Sequence, residues 1–199
     1  MVITSAEEKV LTLLVQDPTK EYTIREISKL TKINYRLAYL GALKLEKSGH
    51  LIIEKKGSGR MCKINLAADS NLFVYVENLR SVLFQNKVSK IKVIMKQIEK
   101  INYDYFTLLI FGSYVKNKQN SRSDLDLLFI LPNGTNLNKF ESEVKSVLSL
   151  LDYKIDLNII SEESFLEMKN QKELNILNET IKNHIILKGG EQYYSLLKR

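Results

Sequence analysis

Short apolar runs alternate with amphipathic segments throughout the C-terminal half of the chain. The apolar runs cover residues 106–111, 123–131 and 154–160, and the amphipathic segments cover 137–151 and 162–169. Residues 113–122 are expected to form a short helix and a loop. Brief apolar runs that end at glycine or polar residues are typical of buried strands, whereas the longer segments have helical spacing. A helix over 174–183, a strand over 185–187 and a helix over 192–197 follow. This order predicts an α/β layer packing around a small mixed sheet.

The first 67 residues have a different pattern, in which helical spacing comes first. Ser5 is expected to cap a first helix, and Thr23 a second, with Glu26 three residues later in a capping-box arrangement. A third helix is expected over 34–47 and is ended by Gly49. The buried faces of the second and third helices are expected at Ile24, Ile27 and Leu30, and at Leu37, Ala38, Leu40, Leu43 and Leu45.

Two further apolar runs, 51–54 and 61–66, flank a glycine turn that carries Lys55, Lys56 and Arg60. Such a pair predicts a hairpin with a basic tip. Residues 68–100 then show helical spacing of apolar positions, and we interpret them as a helical linker of one or two helices. The apolar face of this linker packs either on the C-terminal domain or on a second copy, so a homodimer is a hypothesis.

The charge of the chain is uneven along its length. The chain has 199 residues and a formal net charge of +7; residues 1–67 hold 12 Lys and Arg against 7 Asp and Glu, whereas residues 101–199 hold 12 against 13. A basic N-terminal part indicates a polyanionic partner for that part alone. The alternative is that its lysines only keep the protein in solution.

Several protein classes are excluded by composition. Cys62 is the single cysteine, so neither an internal disulfide nor a cysteine-rich zinc site can form. No apolar run approaches the ~20 residues of a membrane span. Residues 1–20 lack the apolar core of a secretion signal. We therefore expect a cytoplasmic protein with no membrane contact.

Two aspartates interrupt the apolar run 123–131. Because a strand alternates its faces, Asp124 and Asp126 are expected on one face, roughly 6.6 Å apart along the strand. Carboxylates held side by side repel each other, and an oxygen-preferring cation such as Mg²⁺ relieves that repulsion. Gly112 and Ser113 supply a second part of such a site, because glycine lets a phosphate approach the backbone and the N–H groups that open a helix favour an anion.

These residues also carry a family resemblance. The pattern Gly112-Ser113-Tyr114-Val115-Lys116-Asn117, followed by Ser123-Asp124-Leu125-Asp126-Leu127, resembles the signature of the DNA polymerase β-type nucleotidyltransferase superfamily, and of its minimal nucleotidyltransferase branch in particular. In that family the Gly-Ser pair holds the triphosphate, two aspartates bind metal, and a later strand supplies a third carboxylate. Asp156, in the run 154–160, is the candidate for the third.

The resemblance implies roles for specific residues. It assigns catalysis and metal binding to Asp124, Asp126 and Asp156, with two Mg²⁺ ions and an NTP, ATP being the expected one. It assigns nucleotide binding to Gly112 and Ser113. Lys116 and Arg122 are further nucleotide-binding candidates, and the alternative for each is an ordinary surface charge. Two positions depart from the family, which usually has arginine at Lys116 and glycine at Asn117. Lysine keeps the charge without the bidentate fork, and asparagine tolerates the left-handed backbone region.

The N-terminal pattern of three helices and a hairpin resembles a winged helix-turn-helix domain, in which the third helix enters the major groove and the wing contacts the DNA backbone or minor groove. The resemblance implies a double-stranded DNA partner. The DNA-binding candidates are Lys32, Asn34, Tyr35, Arg36, Tyr39, Lys55, Lys56, Ser58 and Arg60. Winged folds also serve as protein–protein modules. The expected fold is thus α+β, with a winged helix domain at 1–67, a linker at 68–100 and a nucleotidyltransferase domain at 101–199.

Two functions remain open at this point. The first is a nucleotidyltransferase that moves NMP from ATP to a protein, nucleic-acid or small-molecule acceptor. The second is a DNA-binding transcriptional regulator whose C-terminal domain senses a nucleotide or supports dimerisation. Members of the minimal branch also act as antitoxins beside a helical ribonuclease, so such a toxin partner is a third possibility implied by the resemblance.

Overall fold

The computed structural model describes residues 3–57, 59–120, 123–171 and 175–199. The chain divides into two compact units, one of residues 1–77 and one of residues 78–197, with Lys198 grouped with the first and Arg199 with the second. Each unit combines helices with a small sheet, so the expected α+β class is confirmed. No described helix is both long enough and apolar enough to cross a membrane.

The first unit holds a helical layer and an antiparallel sheet. Its elements are α1 (Ser5–Gln16), β1 (Tyr22–Thr23), α2 (Ile24–Thr31), α3 (Tyr35–Lys47), β2 (Leu51–Lys56) and β3 (Gly59–Ile64). β3 lies between β1 and β2 and pairs with both in antiparallel fashion. The hairpin predicted from the glycine turn is therefore present. The helix α4 (Asn71–Lys87) begins in this unit and continues into the second.

The helix ends follow from local hydrogen bonds. The capping box is present as predicted, because the Thr23 hydroxyl accepts from the Glu26 N–H and the Glu26 carboxylate accepts from the Thr23 N–H at 2.7 Å. Gly49 follows the end of α3 in the left-handed region, with φ at +80°. The N-cap of α1 is Thr4 and not the expected Ser5, since the Thr4 hydroxyl accepts from the Glu7 N–H.

The buried side of α3 is narrower than its apolar sequence suggests. Leu37 and Leu40 are 45% and 44% exposed, and Leu30 of α2 is 55% exposed, so their predicted burial is wrong. A Cβ placed on Gly41 would lie 3.3 Å from backbone atoms of Ala6, so α3 approaches α1 along a row of small residues. The close approach of α3 to α1 buries the small side chains of α3 and leaves Leu37 and Leu40 partly exposed at the edge of the contact.

The second unit contains a mixed sheet covered by helices. Its remaining elements are α5 (Ser89–Ile98), β4 (Thr107–Phe111), α6 (Gly112–Val115), β5 (Leu125–Leu131), α7 (Leu137–Leu148), β6 (Ile155–Ser161), α8 (Glu162–Asn170), α9 (Ile176–Lys182), β7 (Ile185–Lys188) and α10 (Gly190–Lys198). The strand order is β6-β5-β4-β7, with β5 and β6 parallel and the other pairs antiparallel.

Strand alternation divides the side chains of β5 between the two faces of this sheet. Leu125, Leu127 and Phe129 belong to the main apolar cluster, which also takes in residues of α5 and α7. Asp126 has the opposite parity, so its side chain belongs to the other face. β5 begins at Leu125 rather than at the predicted residue 123, and Asp124 therefore precedes the strand.

Candidate active site

The turn from β4 into α6 places bare backbone against a carboxylate. Gly112 has φ at +74°, in the region that favours glycine. A Cβ added to it would lie 1.8 Å from Oδ2 of Asp126. The backbone N–H of Ser113 donates a hydrogen bond to the Asp126 carboxylate. The Gly-Ser pair recognised in the sequence is thus in direct contact with one of the predicted metal ligands.

Asp126 and Asp156 are brought together by strand pairing. β5 and β6 run parallel, and the two residues occupy matching positions in their register. On its other side Asp126 is paired with Phe111, the last residue of β4. The carboxylates that the sequence places 30 positions apart therefore stand side by side at one end of the sheet, next to the Gly112 turn.

The electrostatics of Asp126 reflect this crowding. Burial raises the pKa of its carboxyl above the ordinary value, and the negative charge of Asp156 adds to that effect. The hydrogen bond from the Ser113 N–H lowers the pKa, and the charge of Asp124 raises it again. Asp126 is half-buried, whereas Asp124 and Asp156 are exposed. The Asn158 amide donates to Asp156 Oδ2 at 3.3 Å.

The donor set suits an oxygen-preferring cation. A carboxylate whose pKa is raised by neighbouring negative charges, as that of Asp126 is, gains from a cation placed beside it. Within the described ranges, no group of three or more His, Cys, Asp or Glu side chains is already arranged to hold a metal ion. Mg²⁺ does not need such a cage, because it commonly uses one or two carboxylates together with waters and substrate phosphates. The residues present therefore fit Mg²⁺ in chemistry.

Lys116, one of the two basic residues predicted near the phosphates, is paired with an acidic side chain. Lys116 Nζ lies 3.1 Å from Oε2 of Glu179 in α9. Asn117 adopts φ of +53°, the left-handed conformation that the sequence pattern anticipated, and its side chain accepts from Lys87 at 2.5 Å. Arg122 lies outside the described residues, so its assignment stays a prediction.

One basic residue near the turn was missed by the sequence analysis. Lys90 Nζ donates to the Tyr114 hydroxyl at 2.8 Å and lies 5.1 Å from the centre of that ring. It also lies 5.5 Å from the ring centre of Tyr153. Tyr114 is itself buried in the core cluster. No sequence signal could have identified Lys90, because its partners are distant in the chain.

The predicted DNA-binding residues of the first unit divide into engaged and exposed side chains. Asn34 caps α3 by accepting from the Leu37 N–H at 2.8 Å, and Lys56 forms an ion pair with Glu21 at 2.5 Å. Arg36 and Lys55 are exposed. Ser58 lies outside the described residues.

Three of the remaining candidates, Tyr35, Tyr39 and Arg60, form a contact group on α3 and β3. The rings of Tyr35 and Tyr39 are stacked, and the Arg60 guanidinium donates to the Tyr39 hydroxyl at 2.5 Å. Lys32, which ends α2, is exposed and has φ of +55°. Tyr39 of α3 and Arg60 of the hairpin are therefore in contact within the first unit.

Comparisons with known proteins place the second unit. A family model described as a nucleotidyltransferase domain matches residues 88–184. A protein of Methanocaldococcus jannaschii named "Putative protein adenylyltransferase" is 38% identical over 76 residues, which cover 36% of this chain and 76% of that protein. Among solved structures, TrmBL2, an archaeal chromatin protein described as showing a novel mode of DNA binding, matches 85% of this chain and 67% of its own at 15% identity, with a TM-score of 0.29. At this TM-score the two structures are not similar enough to indicate a shared fold.

Proposed function

The chain belongs to the nucleotidyltransferase domain family, and we propose that its C-terminal part is a Mg²⁺-dependent enzyme that transfers NMP, as AMP from ATP, to an acceptor hydroxyl and releases pyrophosphate. The observation that supports this most directly is the side-by-side placement of Asp126 and Asp156 against the Gly112 turn. A phosphate chain and carboxylates must meet at one point for this reaction, and these three residues come from separate strands or turns. Fold alone would not support the same conclusion.

Each residue contributes through its own chemistry. Gly112 lets the Asp126 carboxylate lie directly against the turn, and the Ser113 hydroxyl donates to a phosphate oxygen. Lys116 supplies a positive charge next to that position when it leaves Glu179. Asp156 is exposed and accepts the proton that an acceptor hydroxyl loses on attack. Asp126, held by the Ser113 N–H, keeps its place relative to the turn.

Asp124, Asp126 and Asp156 are the residues that would hold two Mg²⁺ ions. Bound metal at such a site stabilises negative charge on the attacking and leaving oxygens of the phosphoryl group. The carboxylates would orient the cations against the Gly112 turn, where the phosphates are expected.

We propose a protein hydroxyl as the acceptor. The relative from Methanocaldococcus jannaschii is named for transfer of an adenylyl group to protein. A helical ribonuclease toxin, which the minimal branch suggests as a partner, would provide such a hydroxyl in an antitoxin-like pair.

For the first unit we propose a winged helix-turn-helix that binds double-stranded DNA. The order of its helices and hairpin, with the antiparallel sheet β1-β3-β2, supports this reading. Arg36 at the start of α3 and Lys55 in the hairpin are exposed cations at the two places that a duplex would touch. A regulator that senses nucleotide without transferring it is the alternative.

A transfer assay separates the enzyme from that alternative. The protein is incubated with α-labelled ATP and Mg²⁺, and label is followed into the chain itself, into a co-expressed partner and into nucleic acid. Asp156→Asn should abolish transfer, whereas Asp152→Asn should not, because Asp152 is an exposed aspartate that precedes β6. Nucleotide binding without wild-type-specific transfer would contradict the enzyme and favour the regulator.

A further inference from the structure

A concave surface of about 610 Å³ lies within the first unit. Its lining comes from the start of α2, the first turns of α3 and the start of β3: Thr23, Ile24, Arg25, Tyr35, Tyr39, Gly59 and Arg60. Ligand sites of roughly 300–1,000 Å³ hold small molecules, so the volume suits a nucleotide-sized group.

One wall of this pocket is aromatic. The rings of Tyr35 and Tyr39 are parallel to within 4°, with centroids 6.3 Å apart. Tyr35 is 52% exposed, so a large part of its side chain is open to a ligand. A flat ring can continue this stack, because every nucleobase has a π-face on which a tyrosine packs.

Two residues of the pocket, Arg25 and Arg60, are cationic. The Arg60 guanidinium lies 5.2 Å from the centre of the Tyr39 ring and donates to its hydroxyl, which holds the positive charge at the edge of the aromatic wall. Arg25 is exposed and lines the same pocket. The lining contains no Asp or Glu. Two guanidinium groups without a carboxylate among them favour a phosphate.

The neighbouring acidic side chains are engaged elsewhere. Glu26 accepts from the Thr23 N–H and hydroxyl, at 2.7 and 2.8 Å. Glu21 pairs with Lys56 at 2.5 Å and with Lys63 at 3.9 Å. Among the side chains that the structure describes, none of the recorded ion pairs involves Arg25 or Arg60. The capping box uses the N–H groups of Thr23 and Glu26, and the two arginine side chains supply further donors for an anion.

We propose that this pocket is a second nucleotide site, in which a base stacks on Tyr35 and Tyr39 while the attached phosphate pairs with Arg25 and Arg60. The ligand class is an aromatic base joined to phosphate, supplied either by a free nucleotide or by an unpaired residue of a single strand. The site differs from duplex recognition, which needs no pocket for a single base. It is also independent of the carboxylate site, because all of its residues lie in the first unit.

The test uses the full chain in buffer with EDTA, so that Mg²⁺-dependent nucleotide binding is removed. AMP, inorganic phosphate, a short single-stranded deoxyadenosine oligonucleotide and a duplex are titrated by calorimetry. AMP should bind more tightly than phosphate. Tyr35→Leu should lower the affinity for AMP by about fivefold or more without changing the affinity for phosphate. Arg25→Gln should weaken both. Asp126→Asn should leave AMP binding unchanged.

Lys55→Gln serves as the control for duplex contacts, because Lys55 is exposed in the hairpin and does not line the pocket. This variant should lower the affinity for the duplex and leave the affinity for AMP unchanged. Binding of AMP alone identifies a free-nucleotide site, and binding of both AMP and the oligonucleotide identifies a single-strand site. Equal affinity for AMP and phosphate, or binding of the duplex only, would overturn the proposal. Circular dichroism of each variant confirms that a loss of binding is not a loss of fold.

Discussion

Gly112 and Asp126 occupy a space that leaves no room for a side chain at position 112. A Cβ there would lie 1.8 Å from Oδ2 of Asp126, far inside any allowed contact. The same carboxylate accepts the N–H of Ser113. The positions of the Gly112 turn and the Asp126 carboxylate therefore depend on each other, so a side chain added at position 112 would displace the carboxylate.

Replacing Gly112 with alanine tests this coupling. We expect transfer activity to fall by about 100-fold, because displacement of a catalytic group by about 1 Å has that effect. Gly134→Ala is the matched control: Gly134 has φ of +83°, but a Cβ on it would meet nothing within 4 Å. Both variants carry the strain of a left-handed alanine, about 1–2 kcal/mol. Urea unfolding and initial rates of both proteins separate strain from displacement, and equal activity of the two would contradict the coupling.

The raised pKa of Asp126 predicts how stability changes with pH. Folding raises the pKa, so the contribution of this carboxyl is fully present below its unfolded pKa and is lost as pH rises through the folded pKa. Asp126→Asn removes this loss. The free energy of unfolding of the variant, relative to wild type, should therefore rise between acidic and neutral pH. Urea titrations at a series of pH values measure it, with Asp152→Asn as control; a difference that does not change with pH would refute the assignment.

Added Mg²⁺ should act on the same carboxylates. We expect Mg²⁺ to raise the melting temperature of the wild-type protein at neutral pH, because binding to the folded state stabilises it. Asp126→Asn should show a smaller rise. Ca²⁺, which prefers more oxygen ligands, should be less effective. The same shift in wild type and variant would place the cation elsewhere on the protein.

The pair between Lys116 and Glu179 should compete with a triphosphate. Glu179→Gln frees Lys116 and removes a negative charge, so ATP affinity should rise by about two- to fivefold, the range of an exposed ion pair. Glu141→Gln breaks the pair with Lys145 on α7 and serves as control. Equilibrium dialysis measures the affinities. If ATP binds more weakly to Glu179→Gln, the glutamate positions the lysine rather than competing for it.

Duplex binding should depend on exposed cations of the first unit. Arg36→Ala and Lys55→Ala should each lower the slope of log affinity against log salt by about 1. Lys56→Ala should have less effect, because Lys56 is already paired with Glu21. Lys139→Ala, an exposed lysine of α7, is the control. Fluorescence anisotropy at several salt concentrations supplies the slopes, and an unchanged slope in both test variants would argue against a DNA interface.

The proposed homodimer has a specific candidate surface. Val82 and Leu83, which lie in the part of α4 that belongs to the second unit, are 56% and 69% exposed. Sedimentation at micromolar concentration should show a dimer for wild type and a monomer for Leu83→Glu. Leu150→Glu changes a leucine that is 73% exposed outside α4 and should remain dimeric. A monomeric wild type would exclude the homodimer.

The order of elements in the second unit could be predicted because its apolar runs are short and separated by polar segments. The left-handed turn at Asn117 and the capping box at Thr23 could be predicted for a similar reason, since each depends on a few adjacent residues. The pairing of Asp126 with Asp156 needed the family resemblance, because periodicity alone does not reveal which strands are neighbours.

Other features depended on distant partners. Asp124 was expected inside a strand, but β5 begins at Leu125. The N–H of Leu125 donates to the carbonyl of Lys154, the residue before β6. The ion pair of Lys116 with Glu179 joins residues 63 positions apart, and no local pattern announces it. The exposure of Leu37 follows from the close approach at Gly41, which only the packed helices reveal.

The parallel register of β5 and β6 also bears on how faithfully the chain folds. A slip of one residue would turn Asp156 towards the helix-covered face, where Ile155 and Leu157 now pack. The charged carboxylate of Asp156 would then be buried in an apolar layer, and Ile155 and Leu157 would be exposed to water. The carboxylate proposed for chemistry therefore penalises mispaired strands, so a variant that replaces it with leucine would lose a safeguard against misfolding along with its activity.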